Sequence, residues 1–122
     1  LGTTLGGGAG RESARLTLDV LSRNLAPALE IVADVAQHPT FPEDEFSREK
    51  KRVLDGIAQA DRNGNALAQR IQPILAFGND HPYGRPVNGL KSSVDTITRD
   101  DLVKFHAARW KPGSSAQVCT AG

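Results

Sequence analysis

Residues 41–57, Phe41-Pro42-Glu43-Asp44-Glu45-Phe46-Ser47-Arg48-Glu49-Lys50-Lys51-Arg52-Val53-Leu54-Asp55-Gly56-Ile57, constrain this chain more than any other stretch, because their local signals agree on one long helix. The helix starts near Pro42, three acids occupy its first turns and bases follow, a polarity that complements the helix dipole. Phe46, Val53, Leu54 and Ile57 form an apolar stripe. Glu49 and Gly56 stand seven residues apart, two helical turns, and so lie nearly in line. Gly56 is the odd residue. A glycine inside a helix costs about 0.5–1 kcal/mol relative to alanine and has no side-chain atom with which to hold anything.

The flanking sequence predicts an α+β chain, an antiparallel sheet with helices packed on one side, in the order β-β-α-α-α-α-β. Residues 1–5 and 13–21 read as strands; in the second, Leu16, Leu18 and Val20 alternate with Arg15, Thr17 and Asp19. The cluster Gly6-Gly7-Gly8-Ala9-Gly10 between them reads as a hairpin turn or bulge, since the Gly-Lys-Ser/Thr of a phosphate loop is missing. Asn24 is a good N-cap, Pro27 falls in a first turn, and Leu25, Leu29, Val32 and Ala36 recur at helical spacing up to about Gln37. His38-Pro39-Thr40-Phe41-Pro42 ends that helix. After a break at Asp61-Arg62-Asn63-Gly64-Asn65, Leu67, Ala68, Ile71, Leu75 and Ala76 predict a third helix, bent at Pro73. Residues 77–90 read as a loop, and Ser92-Ser93 as a helix cap. Thr98 begins a fourth helix through Leu102, Phe105 and Arg109, and residues 115–121 read as a closing strand.

Composition removes several functions. A chain of 122 residues with 39% hydrophobic content suits one domain or a large piece of one. Fifteen Lys and Arg against fourteen Asp and Glu, interspersed, offer no basic face to nucleic acid or an anionic membrane. No apolar run approaches the roughly 20 residues of a membrane span. The single Cys119 excludes an internal disulfide and reads as a small buried residue. Leu1 opens directly in strand-like sequence without Met, which suggests a piece of something longer; the compartment is not legible.

Catalytic constellations are missing as well. Zinc hydrolysis needs about three protein ligands, usually two histidines one helical turn apart, and a carboxylate to take a proton from bound water. His38, His81 and His106 are scattered: two precede prolines in turns and His106 falls on the polar flank of a helix. No Gly-x-Ser-x-Gly elbow occurs. Glu43, Asp44 and Glu45 read as a solvated first turn. Catalytic and metal-ligating residues are thus expected to be none in this chain.

Several landmarks nevertheless fall in a familiar order: Pro39-Thr40-Phe41-Pro42, Glu49, His81-Pro82-Tyr83-Gly84-Arg85-Pro86 with Gly89, Ile97-Thr98-Arg99-Asp100-Asp101-Leu102 with Phe105, and Pro112 to Gly122. Together they resemble the insulinase, pitrilysin and mitochondrial-processing-peptidase family of zinc peptidases, over the second half of one domain. The resemblance matches Glu49 to the first Glu of a Glu-x6-Glu pair, and Gly56 to the second, which binds zinc in the family. His81, Tyr83 and Arg85 match structural positions. Asp55 is adjacent to Gly56 but points about 100° away around the helix. The family's His-x-x-Glu-His helix, and the Arg/Tyr pair of its non-catalytic domains, belong upstream of Leu1.

The resemblance implies that residues 1–122 are the C-terminal part of one such domain, the non-catalytic one. Such a domain would help form a peptide chamber and pair with a catalytic domain or subunit that carries the zinc, with no cofactor of its own. Two alternatives stand beside it: a fragment of an active zinc endopeptidase whose metal site lies elsewhere, and a scaffold subunit without proteolytic role. Partners implied are a catalytic peptidase domain, a peptide substrate and, through uncovered apolar surface, further copies of the chain.

Overall fold

The computed structural model describes residues 3–110 and 118–120. It is an α+β structure with one antiparallel hairpin, β1 (Gly6–Ala9) and β2 (Ala14–Thr17), and five α-helices: α1 (Leu25–Gln37), α2 (Glu43–Ala60), α3 (Gly64–Phe77), α4 (Lys91–Thr96) and α5 (Arg99–Arg109). The chain divides into two compact units, Leu1–Phe41 with Asp100–Gly122, and Pro42–Arg99.

In the first unit the glycine run is itself a strand and not the turn. Gly6 pairs with Thr17, Gly7 with Leu16, Gly8 with Arg15 and Ala9 with Ala14, while the Gly10 N–H donates to the Ser13 carbonyl at 2.8 Å. The tight turn after Gly10 sets this register, and glycines accept the extended partner role without steric objection. Residues 3–5, expected in the first strand, carry none, and Leu1 and Gly2 lie outside the described residues. The second strand is shorter than residues 13–21, yet Leu16, Leu18 and Val20 are half-buried and their neighbours exposed, so the alternation holds where the ladder does not.

A 3-10 turn at Ser22–Asn24 precedes α1, and Asn24 makes no side-chain cap bond. α1 buries Ala28 and ends at Gln37, as the spacing predicts. Phe41 takes a positive φ of 45°, a conformation that bulky residues rarely adopt. The closing strand expected at residues 115–121 falls mostly outside the described residues, and Val118, Cys119 and Thr120 carry none. Cys119 is exposed, contrary to expectation.

In the second unit Pro42 precedes α2, whose first turn holds Glu43, Asp44 and Glu45, and Ile57 is its buried residue. The break is shorter than expected because Asn63 caps α3: its side-chain oxygen accepts from the Asn65 and Ala66 N–H groups at 3.0 and 3.1 Å. α3 runs on through Pro73 to Phe77. Residues 77–90 contain a 3-10 turn, Pro82–Gly84. Ser93 is the third residue of α4 and not its cap; its hydroxyl accepts from the Leu90 N–H at 3.1 Å and donates to the Leu90 carbonyl at 2.8 Å. This extra helix raises the predicted four to five.

Among the described residues the buried apolar side chains are Ala28, Ile57 and Val94, while Leu75, Phe77 and Phe105 are 82%, 55% and 59% exposed. Ala28 belongs to the first unit and Ile57 and Val94 to the second, so among the described residues each unit buries very little apolar side chain.

Candidate functional site

The positions singled out by sequence fall on α2 and on the turn after α3. On α2, Glu49 is exposed and held by its own helix: the Arg52 guanidinium donates to its carboxylate through Nε at 2.8 Å and through Nη2. That hydrogen bond holds the Glu49 carboxyl below the usual carboxylate range against an upward push from burial, and the charges of Arg52 and Arg48 add to the lowering. Bonding to Glu49 raises Arg52 in turn. Glu49 is thus an ionised partner in a surface pair one turn long.

Gly56 is exposed in the body of α2, and a Cβ built there meets no atom within 4 Å. No packing explains the glycine and no backbone approaches it. Asp55 beside it pairs with Lys51 at 2.6 Å.

The turn after α3 is more elaborate. His81 precedes Pro82–Gly84, and its Nδ1 accepts from the Tyr83 N–H at 3.1 Å, which puts the proton of the neutral ring on Nε2. The rings of Phe77, His81 and Tyr83 form a triangle with centroids 5.5, 5.7 and 5.8 Å apart. Gly84, the last residue of the turn, is buried, and a Cβ there would collide with the Gly78 carbonyl; Gly78 itself has φ of 82°. The structure therefore brings His81 and Tyr83 together, with Phe77, which the sequence placed at a loop boundary. Arg85, the residue after the turn, is exposed.

His106 departs from expectation. Its side chain is part-buried, with Nε2 donating to the Ala36 carbonyl at 2.7 Å near the end of α1. Phe41 meets it edge-on at 5.8 Å and Trp110 stacks on it at 6.1 Å. It links α5 to α1 through a carbonyl of the helix's last turn. His38 is exposed and pairs with Asp34 at 3.2 Å.

These residues do not fit a zinc ion. Gly56 presents no donor atom, Glu49 and Asp55 are turned to Arg52 and Lys51, and among the described residues no group of three His, Cys, Asp or Glu side chains is close enough to hold a metal. Among the described residues no helix is long and apolar enough to cross a membrane.

A family model described as insulinase, peptidase family M16, matches residues 1–87. The chain belongs to that family. It is 36% identical over 86 residues to an uncharacterized zinc protease of Rickettsia bellii, covering 70% of this chain and 21% of that protein. Over 122 residues, all of this chain and 24% of the relative, it is 28% identical to the beta subunit of the mouse mitochondrial-processing peptidase. The crystal structure of a peptidase M16 inactive domain from Pseudomonas fluorescens superposes with a TM-score of 0.79 and 33% identity, over 87% of this chain and 26% of that one. The chain thus spans about a quarter or less of the M16 proteins that it matches. Membership and the match to an inactive domain support a non-catalytic M16 domain.

Proposed function

We propose that this chain is part of a non-catalytic M16 domain that pairs with a zinc-bearing catalytic domain or subunit and helps wall the space in which a peptide is held. The observation that carries the reading is Gly56. At the position assigned to the family's zinc-binding Glu stands a residue with no ligand atom, on an exposed helix face with open space around it. The solved M16 domain that it resembles is described as inactive. Exposed Leu75 and Phe77 in the second unit, and exposed Phe105 in the first, support the need for a covering partner.

The test mixes the purified chain with a zinc-bearing M16 subunit and follows both association and cleavage of a fluorogenic peptide. A complex that cleaves, with zinc on the other subunit alone, is the expected result. Stoichiometric zinc in this chain by itself, with chelator-sensitive cleavage, would refute the reading.

A second reading has its own support in the relatives named zinc proteases, 36% and 38% identical to this chain. On that reading these residues belong to an active endopeptidase whose metal lies elsewhere in the same polypeptide. The two readings agree on this chain and differ in where the metal lies, and a His-x-x-Glu-His helix in the same polypeptide, with zinc bound to it, would favour the second.

A further inference from the structure

Lys50 lies on α2, half-buried, one turn after Phe46. Its Nζ donates to the Asp95 carbonyl at 2.8 Å and to the Ile97 carbonyl at 2.8 Å, and stands 5.9 Å from the centroid of the Phe46 ring. The two carbonyls flank Thr96, the last residue of α4. A helix end leaves such carbonyls without an intrahelical partner and gathers negative potential. A compact ammonium with three donors suits this place, with an aromatic face to its side.

α4 has six residues, too few to persist on helix propensity alone. Ser93 closes its start, buried Val94 supplies its packing, and in the last turn the Thr96 hydroxyl donates to the Ser93 carbonyl at 2.8 Å and the Ile97 N–H to the Val94 carbonyl at 3.2 Å, so the Asp95 and Ile97 carbonyls are what Lys50 adds a donor to. The neighbouring cations add little: Lys51 pairs with Asp55 inside α2, and Lys91 with Asp95 inside α4, both exposed surface pairs. Lys50 spans 45 residues of chain to reach the Asp95 carbonyl.

The geometry points to Lys50 as a latch that closes the end of α4 onto α2, so that residues 93–97 are released as one piece when its charge is removed. The ammonium is suited to two converging carbonyls, and the flat guanidinium of arginine is a different shape of donor. The inference does not depend on the peptidase reading, since it concerns how the second unit holds itself together.

Lys50→Met in the full chain, followed by hydrogen exchange, tests it. Loss of two charge-assisted bonds is expected to speed exchange of the amides at residues 93–97 by about tenfold or more, while amides within α3 keep their rates. Unchanged rates at residues 93–97, or equal acceleration in α3, would overturn the latch. Amine acylation of the unaltered chain gives an answer even where the variant fails to fold. Lys50 is expected to react about tenfold more slowly than exposed Lys104 in the native chain and equally in denaturing urea, because a bonded ammonium must first be freed. Equal native rates would refute it.

Discussion

Gly56→Ala is the sharpest test of what α2 is for. In the body of an 18-residue helix, a glycine carries a propensity cost of about 0.8–1.0 kcal/mol relative to alanine. The usual offsetting penalty, overpacking of about 1–3 kcal/mol, does not arise because an added Cβ meets nothing within 4 Å. Gly56 is not among the positive-φ glycines either, so alanine fits its backbone. The net expectation is a stabilisation of about 0.4–1 kcal/mol, arising largely from the reduced freedom of the unfolded chain. For a chain of this size that raises Tm by roughly 2–4 °C. Urea unfolding followed by helical circular dichroism measures it, with an unchanged m-value as the sign that compactness is the same. A loss of stability above about 1 kcal/mol would refute the reasoning, because it would require that the Cβ meets a neighbour and incurs an overpacking penalty.

Gly84→Ala should act in the opposite direction: its Cβ collides with the Gly78 carbonyl, and a loss of about 1–3 kcal/mol with fast amide exchange around the His81 turn is expected. Glu49→Gln tests the surface pair with Arg52. The folded carboxyl lies below its ordinary 4.5, so its contribution is present above that pH and fades as pH falls through the lower folded value. The variant should therefore lose only a few tenths of a kcal/mol at neutral pH and match the parent in acid; a deficit that grows on acidification would contradict the sign. His106→Phe, which keeps a ring but not the bond to Ala36, should cost about 1–2 kcal/mol in urea unfolding, whereas a neutral result would make that bond irrelevant.

Helices were legible where sequence signals were redundant. α2 is marked at once by Pro42, by acids at its start and by its apolar stripe, and α1 ends at Gln37 where the prolines begin. The hairpin was legible in kind but not in register, because four consecutive backbones without informative side chains cannot say which of them pairs. α4 escapes the sequence because six residues are too few to show a period, and one of the groups that bond to its end is a lysine 45 residues away. His106 looked like a surface residue because the groups it meets, the Ala36 carbonyl and the Phe41 ring, are remote in sequence. Its one local hint was Trp110, four residues on along the same helix face.

On the proposed assignment of Gly56 to a zinc-ligand position, α2 keeps its form without the ligand, and the reason is physical. Pro42 before it, the acids of its first turn, the surface pairs Glu45 with Arg48 and Glu49 with Arg52, and buried Ile57 all act without any contribution from position 56. Glycine in place of a carboxylate there sacrifices less than about 1 kcal/mol of helix propensity and nothing in packing. On the proposed assignment, folding and metal binding are separable at this residue. The converse holds too: Gly56→Glu would strengthen α2, yet a single carboxylate, with no group of three metal-binding side chains near it among the described residues, falls short of the roughly three protein ligands that zinc requires.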